Sequence, residues 1–265
     1  MIRSLQCDFA QGSKYTSATQ KARVVTEHWC SENLYCVACN QDRLDQTTAN
    51  TRAVDFRCAR CLKTYQIKSQ RILNLNRIVD GAYSSMIAAT QSNTAPNLII
   101  LNYDPNWTVN NLIIVPSVFF TESVLEKRKP LGLHARRAGW VGCNFVLSNV
   151  PADGKIPLVQ AQKILSPTTV RKAYRRYNQL EIIDWEVRGW TLDVLKIVRK
   201  LGKVEFRLAD VYGYETELGL LRPHNRNIRP KIRQQLQVLR DLKILEFVGD
   251  GNYRLHHSAL PLSVQ

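Results

Sequence analysis

The sequence predicts an α/β N-terminal domain followed by an α+β C-terminal domain of the winged-helix type. Continuous apolar runs at residues 97–103 and 111–116 are typical of strands that are buried on both faces of a sheet. The C-terminal third has three segments of helical periodicity and then two β-prone runs around a Gly-Asp-Gly turn at 249–251, which is the order of elements in a winged helix. We expect the domains to span residues 1–183 and 184–265.

Hydrophobic spacing predicts the other elements of the N-terminal domain. Ala22, Val25 and Trp29 recur at steps of three and four, which indicates a helix over residues 18–32. Two β-prone runs flank a Cys-Ala-Arg-Cys segment and predict a hairpin with the cysteines at its tip. In chain order, the remaining predictions are the hairpin strands at 53–57 and 64–68, a helix at 78–91, an irregular basic segment at 126–144, a short strand at 156–160 and a basic connecting helix at 166–180.

Apolar stripes define the helices of the C-terminal domain. The first stripe lies at 194–201, and the third at 228–239. Between them, residues 208–221 are expected to form one helix or a pair of turns. Residues 244–256 then predict strand, turn and strand.

The charge of the chain indicates a polyanionic partner. Its 265 residues include 37 Lys and Arg against 22 Asp and Glu, a net charge of +15. Nucleic acid is the first candidate, an acidic membrane surface the second, and a merely basic soluble protein the third, because the basic residues cluster in particular segments. No run is long and apolar enough for a membrane span, and the first 15 residues lack the apolar core of a signal peptide. We therefore expect a cytoplasmic protein that makes no membrane contact.

Four of the seven cysteines have the spacing of a zinc site. Cys36 and Cys39 form one C-x-x-C pair, and Cys58 and Cys61 form another after eighteen residues. Four thiolates make a closed, structural site. Free core cysteines or a redox pair are the alternatives, and the second lacks a surrounding βαβ pattern. The remaining cysteines, Cys7, Cys30 and Cys143, are expected to be buried thiols.

The cysteine hairpin also carries residues suited to phosphodiester hydrolysis. Such a reaction uses a metal held by a carboxylate, and a lysine that stabilises developing negative charge. Gln66 and Lys68 lie two apart on a predicted strand and so share a face, and Asp55 can meet them across the hairpin. The pattern alone is weak, since a solvated strand face has the same residue types.

Several short segments, in one fixed order from about residue 18 to residue 255, strengthen this interpretation. They are Gln20-Lys21-Ala22-Arg23, Tyr35-Cys36, Asp55-Phe56, Asp80-Gly81-Ala82-Tyr83, Ala135-Arg136-Arg137-Ala138-Gly139-Trp140, Arg188-Gly189-Trp190-Thr191 and Ile232-Arg233-Gln234-Gln235-Leu236-Gln237. The collinear set resembles the DpnI-like family of methyl-directed restriction endonucleases.

The resemblance implies a PD-(D/E)xK nuclease fold with an embedded four-cysteine zinc site, followed by a winged helix. It further implies Mg²⁺-dependent cleavage of double-stranded DNA at GATC sites that carry 6-methyladenine. By position, Asp55 is the metal-binding aspartate, Lys68 the catalytic lysine, and Gln66 stands where the second acid is expected.

Gln66 is the departure from the family pattern. Its amide oxygen can still ligate Mg²⁺ beside Asp55, but it brings no charge, so metal affinity should fall. Glu27 on the first helix can add charge, or it can be a solvated helix residue.

Two segments are candidates for contact with DNA. The irregular segment carries Arg128, Lys129, Arg136, Arg137 and Trp140. Basic side chains suit phosphates, and an apolar ring suits a methyl group. A core anchor is an equal alternative for Trp140, and His134 is expected to be a loop residue rather than a general base.

The third predicted helix of the C-terminal domain is the other segment. It carries basic residues around glutamines, which can bond adenine in the major groove, and a solvated basic helix is the alternative. These residues are Arg226, Arg229, Lys231, Arg233, Gln234, Gln235, Gln237 and Arg240.

Three functional hypotheses follow. The first is the methylation-dependent endonuclease, acting on adenine-methylated DNA as a monomer with Mg²⁺ and Zn²⁺. The second is a methyl-DNA-binding regulator with a decayed nuclease domain, which Gln66 favours slightly. The third, a zinc-ribbon transcription factor, leaves the arrangement of Asp55 and Lys68 unexplained.

Overall fold

A mixed β-sheet lies at the centre of the N-terminal domain in the computed structural model, which describes residues 1–48 and 54–256. The strands of this half, in chain order, are β1 (Asp45–Gln46), β2 (Phe56–Arg57), β3 (Thr64–Gln70), β4 (Arg77–Ala82), β5 (Asn97–Tyr103), β6 (Val109–Val115), β7 (Leu125–Lys127), β8 (Gly142–Val146), β9 (Ile156–Gln160) and β10 (Lys163–Ile164). Its helices are α1 (Ala18–Asn33), α2 (Tyr83–Gln91) and α3 (Pro167–Arg175).

The main sheet has the order β1-β2-β3-β5-β6-β9-β10 within the described residues. β3 runs parallel to β5, with Lys68 opposite Ile100, whereas β5 and β6 are antiparallel. Every residue of β5 is buried, which confirms the buried strands expected from the apolar runs. The predicted hairpin is also confirmed for residues 54–68, since β2 pairs with β3 in antiparallel register; position 53 lies outside the described residues.

A second sheet, of order β4-β8-β7, corrects one prediction. The sequence predicts a helix throughout residues 78–91, but the helix begins only at Tyr83 and residues 77–82 form β4. Buried Ile78 and Asp80 alternate with exposed neighbours, which is the period of a strand. Gly81 would also weaken a helix at this point. The expected irregular segment is confirmed between β7 and β8, which take up its two ends.

The C-terminal domain has the predicted helical segments followed by the predicted hairpin, with one additional strand. Its elements are α4 (Trp185–Lys200), β11 (Glu205–Arg207), α5 (Leu208–Tyr212), α6 (Glu215–Leu221), α7 (Ile228–Asp241), β12 (Leu245–Gly249) and β13 (Asn252–Leu255). The hairpin of β12 and β13 is joined by β11, a short strand that the sequence did not indicate, in the order β11-β13-β12. Residues 257–265 lie outside the described residues.

The two predicted domains share one apolar core. Phe119 and Phe120 from the first and Trp190 and Leu236 from the second belong to the same buried cluster. Hydrogen bonds also cross the boundary between the two predicted domains. One of them runs from Ser123 Oγ to Asp193 Oδ1 at 2.8 Å. No helix in the described ranges has the length and apolar character needed to cross a membrane.

Candidate functional site

Asp55 is fixed against the central strand β3 by two backbone contacts. Its N–H donates to the carbonyl oxygen of Tyr65 at 2.9 Å, and its Oδ2 accepts from the N–H of Ile67 at 2.7 Å. Phe56, the next residue, is fully buried opposite Tyr65 and keeps the hairpin in register. The carboxylate of Asp55 is therefore held beside the strand that carries Gln66 and Lys68.

Gln66 and Lys68 converge on a carboxylate that the sequence analysis did not place in the site. Nε2 of Gln66 and Nζ of Lys68 each lie 2.8 Å from Oδ1 of Asp80. Gln66 and Asp80 are both buried, whereas the Lys68 side chain keeps 27% of its surface exposed. The strand period places Gln66 and Lys68 on one face of β3, and Asp80 on β4 meets that face.

In the sequence, Asp80 stands out only as part of one of the family segments. The signal that could have found it is the alternation of buried and exposed positions in β4, which the helical prediction for 78–91 concealed.

The site combines several charges of both signs. Burial raises the pKa of Asp55, and the negative charge of Asp80 acts in the same direction; the N–H of Ile67 and the charge of Lys68 oppose them. Burial also raises the pKa of Glu27, and the negative charge of Asp55 adds to that rise. Glu27 is thus within electrostatic range of Asp55, but it is ion-paired with Arg23 at 3.0 Å.

The four predicted cysteines come together at the tip of the hairpin. The sulfurs of Cys36, Cys39, Cys58 and Cys61 all lie within 4.8 Å of one another. Within the described residues they are the one group in which three or more His, Cys, Asp or Glu side chains come this close. Four thiolate donors at this separation can hold a metal ion such as zinc. Cys36 and Cys58 are buried, and the other two are half-buried.

Tyr65 connects this cysteine cluster to the candidate catalytic strand. Its hydroxyl lies 3.1 Å from Sγ of Cys36, and it directly precedes Gln66 on β3. Because successive residues of a strand face opposite ways, the cysteine cluster contacts one face of β3 while Asp80 contacts the other.

A cleft of about 820 Å³ adjoins the site. Its lining includes Val54 and Asp80 on one side and Arg137 and Trp140 from the irregular segment. Trp140 is half-buried, and its ring packs so closely over Gly142 that a Cβ there would lie 2.8 Å from it. Trp140 therefore both packs against the fold and borders the cleft.

The basic residues of the irregular segment differ in exposure. Lys129, Arg136 and Arg137 are exposed, and Arg128 is half-buried. His134 is exposed in the same loop, as expected of a loop residue. Arg137 is the one of these basic residues that lines the cleft beside Asp80.

Helix α7 presents most of the predicted DNA-contacting residues to solvent. Arg229, Arg233, Gln234 and Gln237 are exposed, and Lys231 is half-exposed with Nζ 3.0 Å from Gln234 Oε1. Arg229 is engaged by an ion pair with Glu215 at 2.7 Å. The opposite face, with Ile232, Leu236 and Leu239, is buried in the shared core.

Gln235 does not belong to the exposed surface with which the sequence analysis grouped it. It is fully buried, and its Oε1 accepts a hydrogen bond from the hydroxyl of Thr191 at 2.8 Å. It lies three residues after buried Ile232, on the inward face of the helix.

Comparison with protein-family models gives two matches. Residues 4–182 match the DpnI model, described as the Dam-replacing family. Residues 186–255 match DpnI_C, described as the Dam-replacing HTH domain. The first match alone covers more than half of the chain, and the second covers the described helices and strands of the C-terminal domain.

Proposed function

The chain belongs to the DpnI, or Dam-replacing, family, and from this premise we propose that it is a methylation-dependent endonuclease that cuts double-stranded DNA at GATC sites containing 6-methyladenine. The observation that carries the proposal is the convergence of Asp55, Gln66 and Lys68 on one hairpin beside a cleft. This arrangement supports assigning the N-terminal domain to the PD-(D/E)xK nucleases.

The donor atoms of the site suit a hard divalent cation. Asp55 offers a carboxylate and Gln66 an amide oxygen, which are the ligand types that Mg²⁺ prefers. When bound, Mg²⁺ would polarise the scissile phosphate and lower the pKa of an attacking water. Lys68, whose side chain is partly exposed, stabilises the negative charge that develops on the phosphate.

The cysteine cluster has a different part in this proposal. Its four thiolates leave no open position for substrate, so Zn²⁺ there is structural. Cys36, Cys39, Cys58 and Cys61 would hold the ion at the hairpin tip, and this clamp would keep Asp55 and Lys68 in register across β2 and β3.

The nuclease domain, residues 1–183, would contact DNA through the segment between β7 and β8. Lys129, Arg136 and Arg137 are placed to neutralise phosphates, with Arg128 behind them. Trp140 offers an apolar ring at the cleft on which the adenine methyl group can rest.

The second domain, residues 184–265, is proposed to be a winged helix with α7 in the major groove. Arg229, Lys231 and Arg233 suit phosphates and guanine, and Gln234 and Gln237 suit adenine. Burying one methyl group contributes only about 1 kcal/mol, or roughly fivefold in affinity. Two domains that each recognise a methylated adenine would multiply this discrimination.

One observation favours a second candidate function. Gln66 brings no charge to the metal site, and its amide is already bonded to Asp80. A protein that acts by binding methylated DNA, with little or no nuclease activity, would tolerate an uncharged residue at this position.

A cleavage assay separates the two. One plasmid is prepared with and without adenine methylation at GATC and is incubated with Mg²⁺, then with Mn²⁺. We expect cutting of the methylated plasmid alone, abolished in Asp55→Ala and Lys68→Ala. Tight binding of methylated duplex without cutting in either metal would select the second candidate, and equal cutting of both plasmids would remove the methyl dependence.

A further inference from the structure

We propose that Asp80 supplies the second carboxylate of the nuclease site, in place of the acid that position 66 lacks. The inference rests on the proposed function and adds a residue to its metal site. Asp80 lies on β4, which belongs to a different sheet from the strand β3 that carries Gln66 and Lys68. It nevertheless contacts both of those side chains at 2.8 Å.

Charge counting explains why the site needs Asp80. With glutamine at position 66, the charges of Asp55 and Lys68 cancel, and a divalent cation would enter a site with no net negative charge. Asp80 restores the single negative charge that a glutamate at position 66 would bring. Its side chain is 1% exposed, so water screens this charge poorly.

The geometry of Asp80 leaves one oxygen for a ligand. Oδ1 accepts from both Gln66 and Lys68, whereas the contact of Oδ2 among the described residues is with the weakly donating thiol of Cys143 at 4.0 Å. Asp80 also lines the cleft that Trp140 borders. Asp80 therefore lies between strand β3 and the cleft.

Gln66 and Asp80 form a matched pair. The amide of Gln66 donates to Asp80, which a glutamate at position 66 could not do while ionised. The exchange of the two groups, with an amide at position 80 and a carboxylate at position 66, keeps both the hydrogen bond and the charge. This reciprocity makes the pair testable by a charge swap.

Glu27 is the other acid near Asp55 and provides a matched control. Its carboxylate is ion-paired with Arg23, so it contributes no uncompensated charge. It is half-buried on α1 and contacts neither Gln66 nor Lys68 among the described hydrogen bonds and ion pairs.

The test is Mn²⁺ binding by calorimetry to the full chain with its cysteine cluster metal-loaded and without DNA. The variants are Asp80→Asn, the swap Asp80→Asn with Gln66→Glu, Glu27→Gln, and Asp55→Asn. We expect Asp80→Asn to weaken Mn²⁺ binding roughly 10- to 100-fold. The swap should return the affinity to within about threefold of wild type, and Glu27→Gln should change it by less than about threefold.

Each outcome decides between the two proposals. Wild-type affinity in Asp80→Asn, together with lost affinity in Asp55→Asn, overturns the role of Asp80 and leaves the nuclease proposal intact. Failure of the wild type to bind Mn²⁺ overturns the metal site of the proposed function and the role of Asp80 with it. If Asp80→Asn does not fold, the swap variant carries the test, and its failure to bind Mn²⁺ while folded overturns the inference.

Discussion

The hydroxyl of Tyr65 lies 3.1 Å from Sγ of Cys36, and this contact ties the cysteine cluster to the strand that carries Gln66 and Lys68. Tyr65 is fully buried, so its hydroxyl has no access to water as an alternative partner. A sulfur that accepts a hydrogen bond is held in one orientation toward the metal it ligates. The cluster and the candidate catalytic strand are therefore mechanically coupled.

Tyr65→Phe tests this coupling. Loss of the hydroxyl should lower the free energy of unfolding by about 1 kcal/mol and speed the release of metal to a chelator. Tyr35→Phe is the control, because Tyr35 is also buried beside Cys36 while its hydroxyl has no hydrogen-bond partner among the described residues. Chemical unfolding and a chromogenic chelator measure the two quantities. Equal effects of both substitutions would contradict the coupling.

Removal of a metal ion from the cysteine cluster should make one cysteine, Cys39, reactive before the others. Burial raises the pKa of Cys7 and of Cys143 to about 12, and raises that of Cys30 well above its usual value, so these thiols stay protonated at pH 8. Cys39 and Cys61 are only half-buried. Against the effect of burial, hydrogen bonds from the backbone at Gln41 and from the neighbouring thiols lower the pKa of Cys39, whereas burial raises the pKa of Cys61. After chelation, iodoacetamide at pH 8 should therefore label Cys39 first in the folded protein.

Mass spectrometry of the labelled peptides locates the modified thiols. Protein whose cysteine cluster is metal-loaded is the control and should show little labelling of Cys39. Early modification of Cys7 or Cys143 after chelation would mean that the metal holds the whole domain together rather than the hairpin tip.

Much of the fold could be predicted from the sequence because its signals are local. The two C-x-x-C pairs indicated the cluster at Cys36, Cys39, Cys58 and Cys61, since a pair two residues apart can aim both sulfurs at one ion. The apolar run at 97–103 indicated a strand buried on both faces. Spacing and composition over a few residues suffice for such features.

The features that could not be predicted from the sequence depend on contacts between elements that are distant along the chain. Asp80 became part of the site only because β4 folds against the far side of β3, and no spacing links residue 80 to residue 66. Gln235 faces inward, where the hydroxyl of Thr191 on α4 donates a hydrogen bond to its amide oxygen. The composition of α7 does not indicate this contact. The apolar core shared by the two predicted domains is likewise a tertiary property, and the sequence did not indicate how the domains pack together.

Gln66→Glu should lower the free energy of unfolding in the absence of a divalent cation and raise it in the presence of one. In the metal-free protein, the substituted side chain would place a second carboxylate against Asp80, and like charges at this distance should cost about 1–2 kcal/mol of unfolding free energy. Saturating Mn²⁺ should reverse the sign, because the cation then binds a site with an additional negative charge. Thermal unfolding with and without Mn²⁺ measures both effects.

Gln70→Glu is the control for this change, since Gln70 lies on the same strand and its amide oxygen accepts from the N–H of Asn74. It should respond little to Mn²⁺. A Gln66→Glu variant that is destabilised equally with and without the cation would show that position 66 is remote from the metal.

Asp193 should contribute strongly to the free energy of unfolding, because it lies at the boundary between the two predicted domains. It is buried, it pairs with Arg222 at 2.7 Å, and it accepts a hydrogen bond from Ser123 of the predicted N-terminal domain at 2.8 Å. Asp193→Ala leaves the buried Arg222 guanidinium with a 3.5 Å contact to exposed Glu122 in place of its close buried partner, which should cost about 3 kcal/mol. Asp241→Ala, which removes an exposed ion pair with Arg240, should cost less than about 1 kcal/mol. Chemical denaturation compares the two, and similar losses would mean that the Arg222 pair is solvated.

Trp140 offers a test of how the methyl group is recognised. An edge of its ring packs against Gly142, and the half-buried residue also borders the cleft beside Asp80. Trp140→Ala should reduce the preference for methylated over unmethylated duplex by about fivefold for each methyl group that the ring contacts, while general DNA affinity falls less.

Arg137→Ala is the matched control, because loss of a phosphate contact should weaken binding to both duplexes alike and reduce the salt dependence. Fluorescence anisotropy in Ca²⁺, with both duplexes at two salt concentrations, measures the preference and the salt slope together. An unchanged preference in Trp140→Ala, with normal folding, would assign methyl recognition to α7 and leave Trp140 as a packing residue.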